Sequence, residues 1–271
     1  MSLKNRYLVA SDLDGTLLNS SSRLSKSTID FVRSFQADGN IFTISTGRPF
    51  QGAIGYAIEL GVRIMVCDNG GTIYFLDNNK GIEYNINKYL FLDYVKEIRA
   101  NLVGAFSSNY YNICIDNDNI VPGWCKHIDM SRRVYYGRIE EILNHNPINP
   151  CLFIKSESLE YCLNILKKDK YSSLGYRYWE YNDLINLELF NKRGTKGEAL
   201  EELLMLLDID PDKALAFGDT LNDLELILKA KNGVAIKNAT AELKRESKYI
   251  TEYDNDNDGV IRFISHFIME H

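Results

Sequence analysis

Apolar residues along this chain come in short runs that end abruptly in polar punctuation. The first covers residues 7–10 and stops at Asp12, with Asp14, Gly15 and Thr16 just beyond. The second covers 41–45 and breaks at Thr46, Gly47, Arg48 and Pro49. The third covers 64–67 and breaks at Asp68, Asn69, Gly70 and Gly71. Runs this short and this apolar read as buried strands. Between them the spacing turns helical. Ser27, with Asp30 three residues on, reads as a capping box; Ile29, Val32 and Phe35 follow at helical intervals, and Gly39 marks the stop. A second helix is expected over about 49–60, stopped by Gly61. Strand, helix, strand at short spacing predicts a parallel α/β sheet.

The rhythm changes near Gly81. Residues 83–187 predict a helix at about 89–102, strands at 110–115 and 152–155, a helix near 159–168, and strands at 174–180 and 184–189. This stretch reads as a separate α+β unit inserted into the first. It is rich in rings, among them Tyr110, Tyr111, Trp124, Tyr135, Tyr136, Tyr176, Tyr178, Trp179 and Tyr181, most of which suit strand packing. From Lys196 the α/β pattern resumes. It predicts a helix over 196–207, a strand over 214–217 that breaks at Gly218 and Asp219, and a helix over 222–230. Strands at 234–236 and 249–251, a helix near 239–246 and a last helix after Gly259 complete it. No repeat or low-complexity tract interrupts it.

At 271 residues the chain has room for one large domain or two, and its net charge of −6 argues against nucleic acid or an anionic membrane as a partner. No apolar run reaches the length of a membrane span, and no leader pattern is seen. The cysteines, Cys67, Cys114, Cys125, Cys151 and Cys162, are odd in number, scattered and form no C-x-x-C pair. They read as reduced thiols, giving a cytoplasmic expectation, with the sequons at Asn19 and Asn238 as chance matches.

The chemistry gathers at the strand ends. A buried strand ending in Asp12 and Asp14 needs something to neutralise its acids, and a hard divalent cation with oxygen ligands suits them. Residues two apart share one side of an extended backbone, so both reach one site. Gly15 lets the chain turn and present amides to an anion. A plain D-G turn accounts for Asp14-Gly15 but not for Asp12 or the downstream partners. In a parallel sheet the carboxyl ends of strands share one edge, where ligands bind. The loops at Asp12, Thr46 and Asp219, with Asn222 and Asp223 just beyond, can therefore meet over one crevice. Lys196, at a helix N-terminus, sits on the unfavourable end of the dipole unless an anion joins it. Carboxylates, a hydroxyl, free amides and a lysine together suit phosphoryl transfer.

D-L-D-G-T-L from Asp12, T-G-R-P from Thr46, the lone Lys196 and G-D-T-L-N-D from Gly218 resemble the four motifs of the haloacid dehalogenase-like (HAD) phosphatase superfamily. Order, spacing and the insertion resemble its Cof-type class IIB members. Asn238-Ala239-Thr240 and Asp258-Gly259-Val260 also sit where that family has similar residues. The resemblance covers the core, 1–82 and 188–271; the cap over 83–187 matches in size and place. It implies an α/β fold: a Rossmann-like, doubly wound parallel sheet with an inserted α+β cap. It implies Asp12 as nucleophile and Asp14 as general acid/base, with Thr46, the Gly47 amide and the Leu13 amide on the phosphoryl oxygens. Lys196 would bridge nucleophile and phosphate. Arg48 and Asn69 would bind substrate or its phosphate, and Asn222 would lie near the phosphate. Mg²⁺ would be held by Asp12, the Asp14 carbonyl and Asp219, with Asp223 in support. Leu226 stands where the family often has Met, a packing swap.

The expected function is a Mg²⁺-dependent hydrolase of small phosphorylated metabolites, with a phosphomutase or a silent metabolite sensor on the same scaffold as alternatives. An Asp-phosphorylated receiver needs neither the cap nor Asp14. Asp254, Asp256, Asp258 and Gly259 match half of an EF-hand loop, but its twelfth position is Ser265, so the stretch reads as an acidic surface loop.

Overall fold

The computed structural model describes residues 6–109, 111–120 and 133–270. The chain divides into two compact units, 1–82 with 195–271, and 83–194. The expected boundary at 187/188 falls inside a strand, and the second unit runs on to Gly194.

The first unit begins with β1 (Leu8–Ser11), α1 (Lys26–Ala37), β2 (Ile41–Ser45), α2 (Phe50–Leu60) and β3 (Ile64–Cys67). A hairpin that the sequence reading lacks follows, β4 (Thr72–Phe75) and β5 (Lys80–Glu83). The second unit holds α3 (Lys88–Ile98), β6 (Leu102–Ser108), β7 (Asn112–Asp116), β8 (Arg133–Tyr136) and α4 (Ile139–Ile142). It continues with β9 (Ile148–Lys155), α5 (Leu159–Leu166), β10 (Leu174–Tyr181) and β11 (Leu184–Asn191). The first unit resumes with α6 (Lys196–Leu206), β12 (Ala214–Gly218), α7 (Leu224–Lys229), β13 (Asn232–Ala235), α8 (Ala241–Glu246), β14 (Tyr249–Ile250) and α9 (Gly259–Glu270).

The first unit's sheet has the order β14-β13-β12-β1-β2-β3-β4-β5. The strands from β14 to β3 pair in parallel, and β4 runs antiparallel to β3. β1 lies at the centre, with Ala10 in register with Ala216 on one side and Thr43 on the other. All of its residues are buried, as a strand covered on both faces requires. From β1 the chain winds outward through β2 and β3 in one direction, and later from β12 to β14 in the other. The reversal lies between β1 and β12, the switch point where open α/β sheets bind ligands.

The start of α1 corrects an expectation. Its cap is Ser25, whose hydroxyl accepts from the Thr28 amide, and not Ser27. Asp258 fixes that cap from the far end of the chain, accepting from Ser25 Oγ at 2.6 Å and Thr28 Oγ1 at 3.2 Å. Asp256 likewise accepts from the Ser20 amide and hydroxyl. These acids latch the loop after β1, which is their role in place of an EF-hand.

The second unit has a sheet of order β10-β11-β9-β6-β7-β8, antiparallel except for the β7–β8 pair. One face carries a core of Phe91, Tyr94, Ile98, Leu152, Ile154, Leu187 and Leu189 with the helices; the other carries Phe106, Ile113, Cys151 and Phe153. The expected helix over 89–102 ends at Ile98, and the chain turns at once into β6. Gly104 and two serines hide that strand from an apolar-run reading. Gly104 is needed because a Cβ there would lie 2.8 Å from the Asp116 carbonyl oxygen. β8 and α4 were also unforeseen. Tyr110, Trp124 and Cys125 lie outside the described residues; the other cysteines are buried free thiols.

Candidate active site

The carboxyl ends of β1, β2, β3 and β12 carry the predicted residues. After β1 the chain makes a wide turn closed by the Leu18 amide on the Leu13 carbonyl at 2.8 Å. Gly15 takes φ +76°, and a Cβ there would sit 2.4 Å from Asp219 Oδ2. Glycine thus serves two needs here: a left-handed backbone and a close approach by the β12 loop. Thr16 Oγ1 donates to Asp219 Oδ1 at 3.1 Å, and Asn238 Nδ2 donates to the Gly15 carbonyl at 2.7 Å.

Lys196 is the pivot. It is the first residue of α6, whose cap is Thr195 Oγ1 accepting from the Glu198 amide. Gly70, at φ +99°, lets the loop after β3 pack on this start; a Cβ there would fall 2.0 Å from the Thr195 carbonyl carbon. The ammonium of Lys196 donates to Asp12 Oδ1 at 2.6 Å and Asp223 Oδ1 at 2.5 Å, and all three side chains are buried. Asp223 Oδ2 in turn accepts from the Asp219 amide at 3.1 Å. Carboxylate oxygens of Asp12, Asp219 and Asp223 lie within 4.8 Å of one another.

Burial sets the electrostatics. It pushes the Asp12 carboxyl well above the usual carboxylate range, and Lys196 only partly offsets this, with Asp223 adding to the rise. It pushes Asp219 up to about 6, again with help from Asp223. Burial opposes the charge on Lys196, but Asp12 and Asp223 outweigh it and hold its pKa above the ordinary value. Three carboxylates therefore gather around one ammonium, which pairs with two of them. A set of hard oxygen donors short of positive charge fits a divalent cation such as Mg²⁺.

Thr46 follows β2 and is buried. Its Oγ1 accepts from the Arg48 amide at 3.1 Å, which leaves its proton free to donate. The Thr46 carbonyl accepts from the Asn69 amide at 3.0 Å, drawing the β3 loop alongside. Gly47 packs on Asn69, whose Oδ1 would lie 2.9 Å from an added Cβ. Asn222 Nδ2 donates to Asn69 Oδ1 at 3.2 Å, joining the β12 loop to the β3 loop. Leu13 is buried between the two aspartates. Asp14 and Arg48 pair with each other, Nε on Oδ2 at 2.7 Å and Nη2 on Oδ1 at 2.6 Å. Asp12, Asp219, Asp223 and Lys196 thus form one cluster, Thr46, Gly47, Asn69 and Asn222 a linked rim, and Asp14 with Arg48 a pair at the edge.

Sequence reasoning gave no role to Thr16, Asn238 or Gly70. Thr16 stands inside the quoted D-G-T motif, and Asn238 inside the quoted tail. Gly70 had only its G-G doublet as a signal.

Residues 9–264 match the family model of haloacid dehalogenase-like hydrolases. The Bacillus subtilis (strain 168) phosphatase YwpJ is 26% identical, covering 96% of this chain and 99% of that protein. The same organism's 5-amino-6-(5-phospho-D-ribitylamino)uracil phosphatase YitU is 24% identical, covering 96% and 97%. Among solved structures, the HAD subclass IIB sugar phosphatase BT4131 has a TM-score of 0.76 at 20% identity, covering 97% of this chain and 99% of that one. With the strand-end cluster in place and a match that spans both units, this chain belongs to the haloacid dehalogenase-like hydrolase family.

Proposed function

We propose that this protein is a Mg²⁺-dependent phosphatase of small phosphorylated metabolites, working through an aspartyl-phosphate. The observation that carries the reading is the buried Asp12–Lys196–Asp223 group beside Asp219 at the sheet's switch point. Asp12, the Asp14 carbonyl and Asp219 would hold the metal, with Asp223 in support; bound there, Mg²⁺ would neutralise charge on the phosphoryl group and on Asp12.

Lys196 holds Asp12 Oδ1 and so orients the carboxylate as nucleophile. An Asp12 oxygen forms a bond to phosphorus as the bond to the leaving oxygen breaks, and Asp14 supplies the proton that oxygen needs. The Thr46 hydroxyl and the Leu13 and Gly47 amides receive the phosphoryl oxygens, with Asn69 and Asn222 alongside. Water then attacks phosphorus and gives its proton to Asp14. The bond to Asp12 breaks, and phosphate leaves.

Sugar phosphates and phosphorylated vitamin-like compounds are the substrate classes, supported by what YitU and BT4131 are named for. The inserted unit selects among them. A phosphorylated-metabolite panel read as free phosphate, with Mg²⁺ and with chelator, tests the reading. Activity restored by Mg²⁺ supports it; no turnover of any ester, or full turnover after rigorous chelation, overturns it.

A further inference from the structure

Arg48 stands among the residues expected to bind substrate or its phosphate, yet its guanidinium is engaged within the protein. Two of its nitrogens grip both Asp14 oxygens at 2.7 and 2.6 Å. A third, Nη1, donates to the Gly52 carbonyl at 3.1 Å, and the guanidinium carbon lies 5.2 Å from the Tyr56 ring centre. Tyr56 is itself tied down by its hydroxyl on the Ser22 carbonyl at 3.0 Å. The Arg48 backbone is fixed at both ends, its amide on Thr46 Oγ1 and its carbonyl accepting from the Asp68 amide at 3.0 Å. This arginine is anchored at every group that could let it swing.

Asp14 is the opposite case. Its side chain is 51% exposed, and among the described residues Arg48 is its only hydrogen-bond partner. An isolated exposed ion pair would contribute little. A fork-on-fork pair on a pre-fixed guanidinium instead restricts the carboxylate to one orientation. Orientation is what a proton-transfer group needs most.

We infer that Arg48 is a positioning residue that holds Asp14 for its two proton transfers, keeping one carboxyl oxygen while the other carries the proton, and that it does not ligate the phosphoryl group. The inference rests on the phosphatase reading above. Arg48 then matters in proportion to how much the leaving oxygen needs a proton. Phenolate needs one far more than p-nitrophenolate, and the two esters are otherwise alike in shape.

The test uses the full-length protein with p-nitrophenyl phosphate, phenyl phosphate and the phosphate mimic vanadate. Arg48→Ala should lower kcat on phenyl phosphate about tenfold more than on p-nitrophenyl phosphate, a split in the same sense as that of Asp14→Asn. Arg48→Lys should behave like the alanine variant, because an ammonium cannot fork. Adding Arg48→Ala to Asp14→Asn should cost nothing beyond about twofold. Vanadate inhibition should stay within about twofold of wild type, since no phosphoryl ligand has been removed. Equal losses on both esters, weakened vanadate inhibition, or additive losses in the double variant would overturn the inference while leaving the phosphatase reading intact. A wild-type protein that hydrolyses neither ester would instead overturn that reading, and this inference with it.

Discussion

The two units bury acids in opposite ways. Among the described residues of the second, each buried carboxylate meets an arginine: Asp116 faces Arg99 at 2.7 Å, and Glu188 faces Arg177 at 2.8 Å. Those arginines reach solvent, so the charge is settled within the protein. In the first, Asp12 and Asp223 both pair with the buried Lys196, and Asp219 stands within 4.8 Å of them held by the Thr16 hydroxyl; among the described residues no second cation is paired with these three. Breaking even is a structural arrangement; a deficit of positive charge marks a place for something that arrives from outside. The difference separates an architectural use of acids from a chemical one.

The largest effect should come from the side in deficit. Asp12→Asn keeps the shape and removes the nucleophile, so turnover should fall about 10⁴-fold or more on every ester, good leaving group or poor. Steady-state phosphate release checks it. Residual activity that depends strongly on the leaving group would point to a different nucleophile.

Removing the shared cation sharpens the contrast next. Lys196→Met leaves Asp12 and Asp223 buried without their partner, which should cost about 3–5 kcal/mol in metal-free buffer by urea denaturation. A cost near zero would mean that solvent reaches the cluster and the deficit is not real.

Much of this contrast was legible in the sequence, for a local reason. β1, β2, β3 and β12 are short, mostly apolar runs, and site residues stand just beyond their ends: Asp12, Thr46, Asn69 and Asp219. One short window therefore carries both the fold and the chemistry. The second unit offers no such coincidence. β6 carries Gly104, Ser107 and Ser108, so its apolar face is too thin to be seen without its partners β7 and β9. β9 runs through Pro150 beside a register shift against β6, which a run-length reading clips to its apolar half. The cap of α1 depends on Asp258, more than two hundred residues away, which the local Ser27-to-Asp30 spacing cannot register. The Arg48–Asp14 pair joins two loops that only the parallel sheet brings together.

A third prediction probes the balanced unit by pH. Burial first, then Lys88, lowers His145 to about 4. Nδ1 lies 3.0 Å from Asn144 Oδ1 and Nε2 3.1 Å from Ser107 Oγ, partners that a neutral ring satisfies by donating from Nδ1 and accepting at Nε2. Between the ordinary histidine value of about 6.5 and about 4, the unfolded chain binds a proton that the folded one refuses. Stability conferred by the neutral ring is complete above that window and falls as pH drops through it, by about 3 kcal/mol in all. Both tryptophans lie in residues 83–194, so their fluorescence reports this unit. Urea midpoints from pH 7 to 4 should fall more steeply in wild type than in His145→Gln; identical slopes would remove the ring from the account.

The smallest effect is metal linkage. Mg²⁺ at a hundredfold excess over its Kd should stabilise the protein by about 2.7 kcal/mol. Asp219→Ala should lose that gain, whereas Arg177→Met, in the balanced unit, should keep it. Calorimetric melts with and without Mg²⁺ distinguish the two.

The most direct test of the central claim traps the phosphoryl group. In Asp14→Asn the base for the second step is missing, while p-nitrophenolate can leave without an acid. Rapid mixing with p-nitrophenyl phosphate and Mg²⁺, acid quench and peptide mass spectrometry should show a burst of nitrophenolate matched by a phosphoryl adduct on the peptide bearing Asp12. A folded, Mg²⁺-binding Asp14→Asn protein with no burst and no adduct on Asp12 would contradict the account.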